Sequence, residues 1–350
     1  MIIELFSFKK MQITSRNNNI DIFRLIASYF IVILHMDYGS VNELFLGCYR
    51  FAGRWGVPFF FMISGYYFQR SLEKSPSISF KNNFSKILNI FIIANLVYLP
   101  LFLISGDNIL QLKYIIKGNY FHLWFLSSLL IGLSFLYITF KLRIKSIFLI
   151  ISCSLILLLA ILSDSYSFII KSYPDQYGSV RSILSIPFMT IGTLFFKSSN
   201  FKRYLKPKFG ITLLILGYLL QIFEGYSIYT FFNRPIQDHQ LVVGTIFYSA
   251  GIFILALTLK FNNDKLGKWG KEYSLFIYLY HPILIYILKE INYTSLFKNW
   301  LLILSPMIIF MATLFIGILF DKYFNRFFLI LTGSFSQINK KKPEIIVPTR

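Results

Sequence analysis

The sequence predicts an all-α fold: a polytopic helix bundle integral to the membrane, with about ten transmembrane helices and both termini in the cytoplasm. Three observations predict it. Of the 350 residues, 56% are hydrophobic and only 14% charged, against about a quarter charged in an ordinary soluble domain. The apolar residues run in segments separated by short polar stretches. The basic residues cluster between those segments, dense in every second connection.

A helix rises about 1.5 Å per residue, so roughly 17–25 mostly apolar residues cross the ~30 Å of bilayer hydrocarbon. Ten segments qualify: 20–37, 53–69, 84–104, 121–140, 146–163, 182–196, 209–224, 241–259, 274–289 and 299–320. With the N-terminus inside, the inner connections and tail hold 25 Lys and Arg, and the outer connections nine. That bias follows the positive-inside rule and sets the N-in, C-in orientation.

In a soluble chain, the net charge of +20 would point to nucleic acid. Here topology accounts for the basic clusters, and no nucleic-acid partner is expected. Residues 1–19 read as a cytoplasmic N-terminal segment, 20–320 as one membrane domain, and 321–350 as a basic cytoplasmic tail. The tail's Lys340, Lys341 and Lys342 suit contact with anionic lipid. Cys48 and Cys153 fall in different segments, giving neither a disulfide framework nor a metal-ligand spacing. The opening MIIELFSFKK does not fit a cleaved signal, so the first helix is expected to serve as an uncleaved one.

The first segment carries RLIASYFIVILHM. Arg24 and His35 are eleven residues apart, about 20° past three turns, and so share one face about 16 Å apart along the axis. Asp21 and Ser28 fall on the same stripe, making a polar seam with Arg24 towards the cytoplasm and His35 near the outer leaflet. A snorkelling arginine and an interfacial histidine are the plain reading. A charge one turn inside the segment would cost about 2.5–3.5 kcal/mol if lipid-facing, which favours a wet or protein-lined interior.

The second segment reads RWGVPFFFMISGYYFQR, from Arg54 to Arg70; the fourth opens HLWFLSSLL, from His122; the ninth holds YLYHP, from Tyr278 to Pro282. Each piece has a structural reading. Ser64 can bond its own backbone, and Gly65 permits close helix approach. Trp124 can be an interfacial anchor. His281 can satisfy a carbonyl freed by Pro282. Glu224, in QIFEGY, is either a loop carboxylate or an intramembrane one.

Together, the order IDIFR with a histidine eleven residues on, RWGVPFFFMISGYYF, HLWFLSSLLIG and YLYHP resembles the acyltransferase 3 family. These are integral membrane proteins that O-acylate cell-surface polysaccharides and related glycans. The resemblance covers about residues 18–320 and rests most on the Arg24–His35 spacing and on HLWFL. It implies a multi-pass protein of the bacterial cytoplasmic (inner) membrane. That protein would take acetyl-CoA or another acyl-CoA as co-substrate, with no bound cofactor and no metal, and a glycan or lipid-linked sugar as acceptor. Part of the family has Arg-x-x-Arg after SGY; this chain departs from it with Arg70 and Lys74.

The roles follow from the resemblance and from general chemistry. CoA phosphates would meet the inner cations Arg70, Lys74, Lys81 and Lys86. The pantetheine arm would pass Arg24 and Ser28, with Ser64 and Tyr66 also on the donor side, and deliver the acyl group near His35. His35 would act as general base on the sugar hydroxyl or carry the acyl group itself. His122 would be a second acid/base or an oxyanion donor. Arg24 is grouped with the catalytic residues, though its distance suits a donor-binding or structural charge better. Arg54, Arg181, Trp124 and Glu224 would face the acceptor or the oxyanion. Asp21, Asp37 and His281 can be structural, Asp37 also a partner that orients His35. A polysaccharide flippase or polymerase is the main alternative. A secondary transporter would instead show broken helices in matching halves.

Overall fold

The computed structural model describes residues 17–39, 41–104, 112–170, 180–197, 203–236, 239–261, 263–291 and 299–335. Among these, every regular element is helical. The expected N-terminal segment up to residue 16 and the tail beyond residue 335 lie outside the described residues.

Each of the ten apolar segments coincides with a helix: α1 (Asn18–His35), α3 (Gly56–Leu72), α4 (Pro76–Ile104), α6 (Trp124–Lys141), α7 (Ser146–Ser163), α9 (Ser185–Lys197), α10 (Pro207–Phe232), α11 (Val243–Thr258), α12 (Asp264–Glu290) and α13 (Asn299–Tyr323). Among the described residues three short helices lie between them, α2 (Glu43–Phe51), α5 (Leu112–Lys117) and α8 (Ser167–Ile170), and a fourth, α14 (Asn325–Leu331), follows the last. The amphipathic α2 was not expected; Asn42 caps it by accepting from the Phe45 N–H at 3.0 Å.

Five helices (α4, α6, α7, α10 and α13) are long and apolar enough to cross a membrane. The outward faces of α7 and α10 are apolar: Ile147, Ile151, Leu155 and Leu158 on one, Ile211, Ile215, Leu219 and Phe223 on the other. Rows of this kind require an apolar solvent, and the chain is a multi-pass membrane protein. The five other helices, α1, α3, α9, α11 and α12, carry more buried positions, among them Asp21, Ser28, Thr190, Ser249 and His281.

Close backbone approaches at glycines set the interior, two of them beside α1 and α3. Gly65 of α3 and Gly192 of α9 face each other's helix backbones, so that a Cβ on Gly65 would strike the Met189 carbonyl and one on Gly192 the Met62 carbonyl. Likewise Gly270 of α12 sits against the Asp21 carbonyl of α1.

The second approach explains one departure from expectation. Segment 274–289 was expected to begin at residue 274, yet α12 begins ten residues earlier, at Asp264. Its polar stretch LGKWGKEY reads as a connection. It is helical because Asn263 caps it, accepting from the Leu266 N–H at 3.0 Å, and because its glycines fit against Asn18 and Asp21.

Candidate active site

One end of the bundle encloses a cavity of about 880 Å³. Its walls come from the C-terminal ends of α1 and α7, the N-terminal ends of α3, α6 and α11, and the connections beside them. His35, His122, Arg54, Trp124 and Arg181, five residues expected from the sequence, line it together. Arg50, Asp164, Arg234, His239 and Tyr278 line it as well and carried no expectation.

All four histidines of the chain gather here. His35 ends α1, its ring edge-on to Phe121 at 4.9 Å between centroids and stacked on His281 at 5.4 Å and 20°. His281 is fully buried behind it. Its Nδ1–H donates to the Ile277 carbonyl at 2.8 Å, and the ring also reaches the Tyr278 carbonyl. Pro282 deprives that carbonyl of its helical partner. His281 thus bonds carbonyls of its own helix while its ring stacks on His35.

His122 is 1% exposed and occupies the turn before α6, which begins at Trp124 rather than at residue 121. Its Nε2–H donates to the Leu279 carbonyl at 3.1 Å; a carbonyl only accepts, and this fixes the tautomer. The same carbonyl accepts from the Tyr98 hydroxyl at 2.6 Å, and the Tyr278 hydroxyl donates to the His122 carbonyl at 2.6 Å. In the neutral ring Nδ1 then carries the lone pair; it is buried without a hydrogen-bond partner. A ring nitrogen with a free lone pair is one requirement of a general base. Among the described residues no three His, Cys, Asp or Glu groups come together as metal ligands.

Three of the arginines contact aromatic rings or neutral oxygens. Arg181 lies over the Trp124 ring at 4.8 Å. Arg50 donates to the Met36 carbonyl at 3.1 Å and lies over Tyr38. Arg234 donates to Ser167 Oγ at 2.7 Å and lies over Phe168. Arg54 and Arg181 interact electrostatically with His35.

Asp164, just after α7, holds the connection between α10 and α11 in place. Its Oδ2 accepts from the N–H groups of Gln240 and Leu241 at 2.8 and 2.6 Å, and from Ser165 Oγ at 3.1 Å. Burial raises its carboxyl above the usual carboxylate range, against the opposing pull of these donors and Arg54. On that connection, burial first and then Arg54 and Arg234 push the His239 imidazole down to about 4. His239 is neutral at physiological pH.

The remaining expected residues stand away from the cavity. Glu224 lies two turns inside α10, which runs on to Phe232, and not at its outer end. Its carboxylate accepts from the N–H groups of Val243 and Gly244 at 3.1 and 2.7 Å and from the Tyr166 hydroxyl at 2.7 Å, capping α11. Ser64 donates to its own helix at the Phe60 carbonyl (2.8 Å), and Tyr66 packs on Phe196 and Phe253. Arg70 ends α3, and Lys74 follows it, exposed. Asp37 accepts from the Gly39 N–H at 3.0 Å.

The polar seam on α1 exists, but it is closed. Arg24 pairs with Asp21 at 3.3 Å. Ser28 is fully buried and donates to the Leu25 carbonyl at 2.7 Å. Among the described residues the cavity lining reaches Ile31 of α1 and does not run on towards Arg24. The backbone approach of α12 at Gly270 covers this face of α1.

Comparison with known proteins bears on this arrangement. The acyltransferase 3 family, described as an acyltransferase domain, matches residues 17–322. The chain is 27% identical over 322 residues to an amino-acid racemase of Enterococcus faecalis, covering 82% of this chain and 44% of that protein. It is 26% identical over 303 residues to a serine/alanine racemase of Enterococcus gallinarum, covering 77% and 41%. The chain thus spans less than half the length of these curated relatives. No solved structure matches it.

Proposed function

The chain belongs to the acyltransferase 3 family, and on that premise we propose that it is an O-acyltransferase of a bacterial cytoplasmic membrane, crossing it ten times with both termini inside. It moves an acyl group, most simply acetyl, from cytoplasmic acyl-CoA to a hydroxyl of a cell-surface or lipid-linked glycan. The observation that carries this reading is the meeting of His35, His122, Arg54 and Arg181 around one cavity.

In the proposed reaction the acceptor hydroxyl attacks the thioester carbonyl and gives its proton to an imidazole, His35 or His122. Arg54 and Arg181 stabilise the oxyanion. The carbon–sulfur bond breaks, and the imidazolium returns the proton to the leaving thiolate. Acyl-CoA docks at the opposite, basic end, near Arg70, Lys74 and Lys86. The closed stretch of α1 between Arg24 and Ile31 has to part from α12 for the arm to reach His35.

NMR of surface glycan from strains with and without this protein tests the assignment. Acyl resonances lost with the protein support it; unchanged glycan in every fraction contradicts it. The names of the two relatives favour a second reading, in which the cavity receives an amino acid. Stabilisation of the purified protein by serine or alanine, without acyl transfer, is the result that would favour it.

A further inference from the structure

Resting on the transferase reading above, we infer that Tyr278 is a positioning residue: it fixes His122 so that Nδ1 of that imidazole takes the acceptor's proton.

His122 stands in the turn ahead of α6, outside any helical ladder. Within that turn its carbonyl accepts a long bond, 3.4 Å, from the Phe125 N–H. Its firmer hold comes from α12, where two consecutive residues grip it at two points. The Tyr278 hydroxyl donates to the His122 carbonyl at 2.6 Å. The Leu279 carbonyl accepts from His122 Nε2–H at 3.1 Å. Tyr98 of α4 donates to the same Leu279 carbonyl, and its ring lies edge-on to His122 at 5.0 Å between centroids. Main chain and ring tip are thus both tied to α12, and the side-chain torsions between them are set.

The chemistry follows from which nitrogen is engaged. With Nε2–H given to a carbonyl, the neutral ring accepts a proton only at Nδ1, and that buried atom has no hydrogen-bond partner. His122 lines the cavity. When the acceptor hydroxyl attacks the thioester carbon, its O–H bond breaks, the new C–O bond forms and the proton passes to Nδ1. The Nε2–H bond to Leu279 then becomes charge-assisted and strengthens as the imidazolium forms. The carbon–sulfur bond breaks next, its electron pair goes to sulfur, and Nδ1 returns the proton to the thiolate.

His35 has a different kind of support. Among the described residues its ring meets other rings, Phe121 edge-on and His281 stacked. A ring contact does not select a tautomer, whereas a bond to a carbonyl does. His35, which interacts electrostatically with Arg54 and Arg181, serves the oxyanion instead.

A buried tyrosine hydroxyl needs some partner, so holding the fold and holding the base have to be told apart. Full-length wild type and Tyr278→Phe are compared in neutral detergent, with acetyl-CoA and glycan purified from the host. The variant keeps the ring against Phe125 and loses the hydroxyl alone. Its kcat should fall by about tenfold or more, the scale of a displaced reacting group, with KM for acetyl-CoA changed by less than about twofold. NMR of labelled histidine gives the second readout, with His122→Gln assigning the resonances among the four histidines of the chain. Wild-type His122 should be a single Nε2–H tautomer with a slowly exchanging ring proton, and that proton should exchange faster in Tyr278→Phe. Wild-type kcat in the variant overturns the inference, and so does a lower kcat with unchanged exchange. Wild-type His122 found as the Nδ1–H tautomer overturns it even if the variant does not fold. Failure of the transferase reading would appear separately, as wild-type protein that shows the Nε2–H tautomer yet never releases CoA thiol.

Discussion

The imidazole of His35 lies on that of His281, centroids 5.4 Å apart and planes 20° from parallel. His281 is anchored to α12 by its bond to the Ile277 carbonyl, so the stack ties the last residue of α1 to the middle of α12. His122, edge-on to His281 at 6.1 Å, is tied to the same helix at Leu279. One helix therefore orients His35 and His122, two of the three imidazoles that line the cavity.

That relationship makes His281 a positioning residue. His281→Ala should lower kcat by roughly tenfold to a hundredfold, the scale of a misplaced reacting group, with KM for acyl-CoA little changed. His281→Phe keeps a flat ring under His35 and should retain most activity. Steady-state kinetics on the two variants checks this; equal losses would show that the ring's nitrogens, not its plane, matter.

Gly65 tests the α3–α9 approach. A Cβ there meets the Met189 backbone, which cannot move as a side chain tip can. Gly65→Ala should destabilise by about 1–3 kcal/mol, the range for overpacking, read as a lower thermal midpoint in detergent. Ser64→Ala, losing only a bond within its own helix, should change it far less.

Glu224 caps α11 from α10. Glu224→Gln keeps the shape but weakens two charge-assisted bonds to N–H groups, and should cost about 1–2 kcal/mol, the scale of losing a helix cap. Thermal melting against wild type checks the direction.

His239 predicts a pH dependence. Its folded value of about 4 lies below the ~6.5 of an unfolded histidine. Its contribution to stability is therefore complete above about pH 6.5 and is lost as pH falls towards 4, where the unfolded chain binds the proton first. The thermal midpoint should fall between pH 7 and pH 4.5 in wild type and fall less in His239→Gln. A ring-carbon NMR titration with a midpoint near neutrality would contradict the assignment.

Apolar runs made the ten helices legible, because a segment that must satisfy its own backbone away from water has little alternative to a helix. The site was legible where residues sat in or next to those runs: His35, Arg54, His122, Trp124 and Arg181 all reach the cavity. Arg50, Arg234 and His239 were not: Arg50 is on the short helix α2, which no apolar run announces, and Arg234 and His239 lie in a connection, where no periodicity fixes a direction; their placement rests on bonds to Met36, Ser167 and the Asp164-held backbone. The closure of α1 was equally invisible. Spacing put Arg24, Ser28 and His35 on one face, but what covers that face depends on two glycines in a stretch too polar to read as helix.

The most direct test of the account is acceptor-dependent release of free CoA thiol from acetyl-CoA by the purified protein, with wild type and His35→Ala compared at matched folding. The account predicts release by wild type only when host glycan is present, and none by the variant. Release by the variant at the wild-type rate, or none by either, would contradict it.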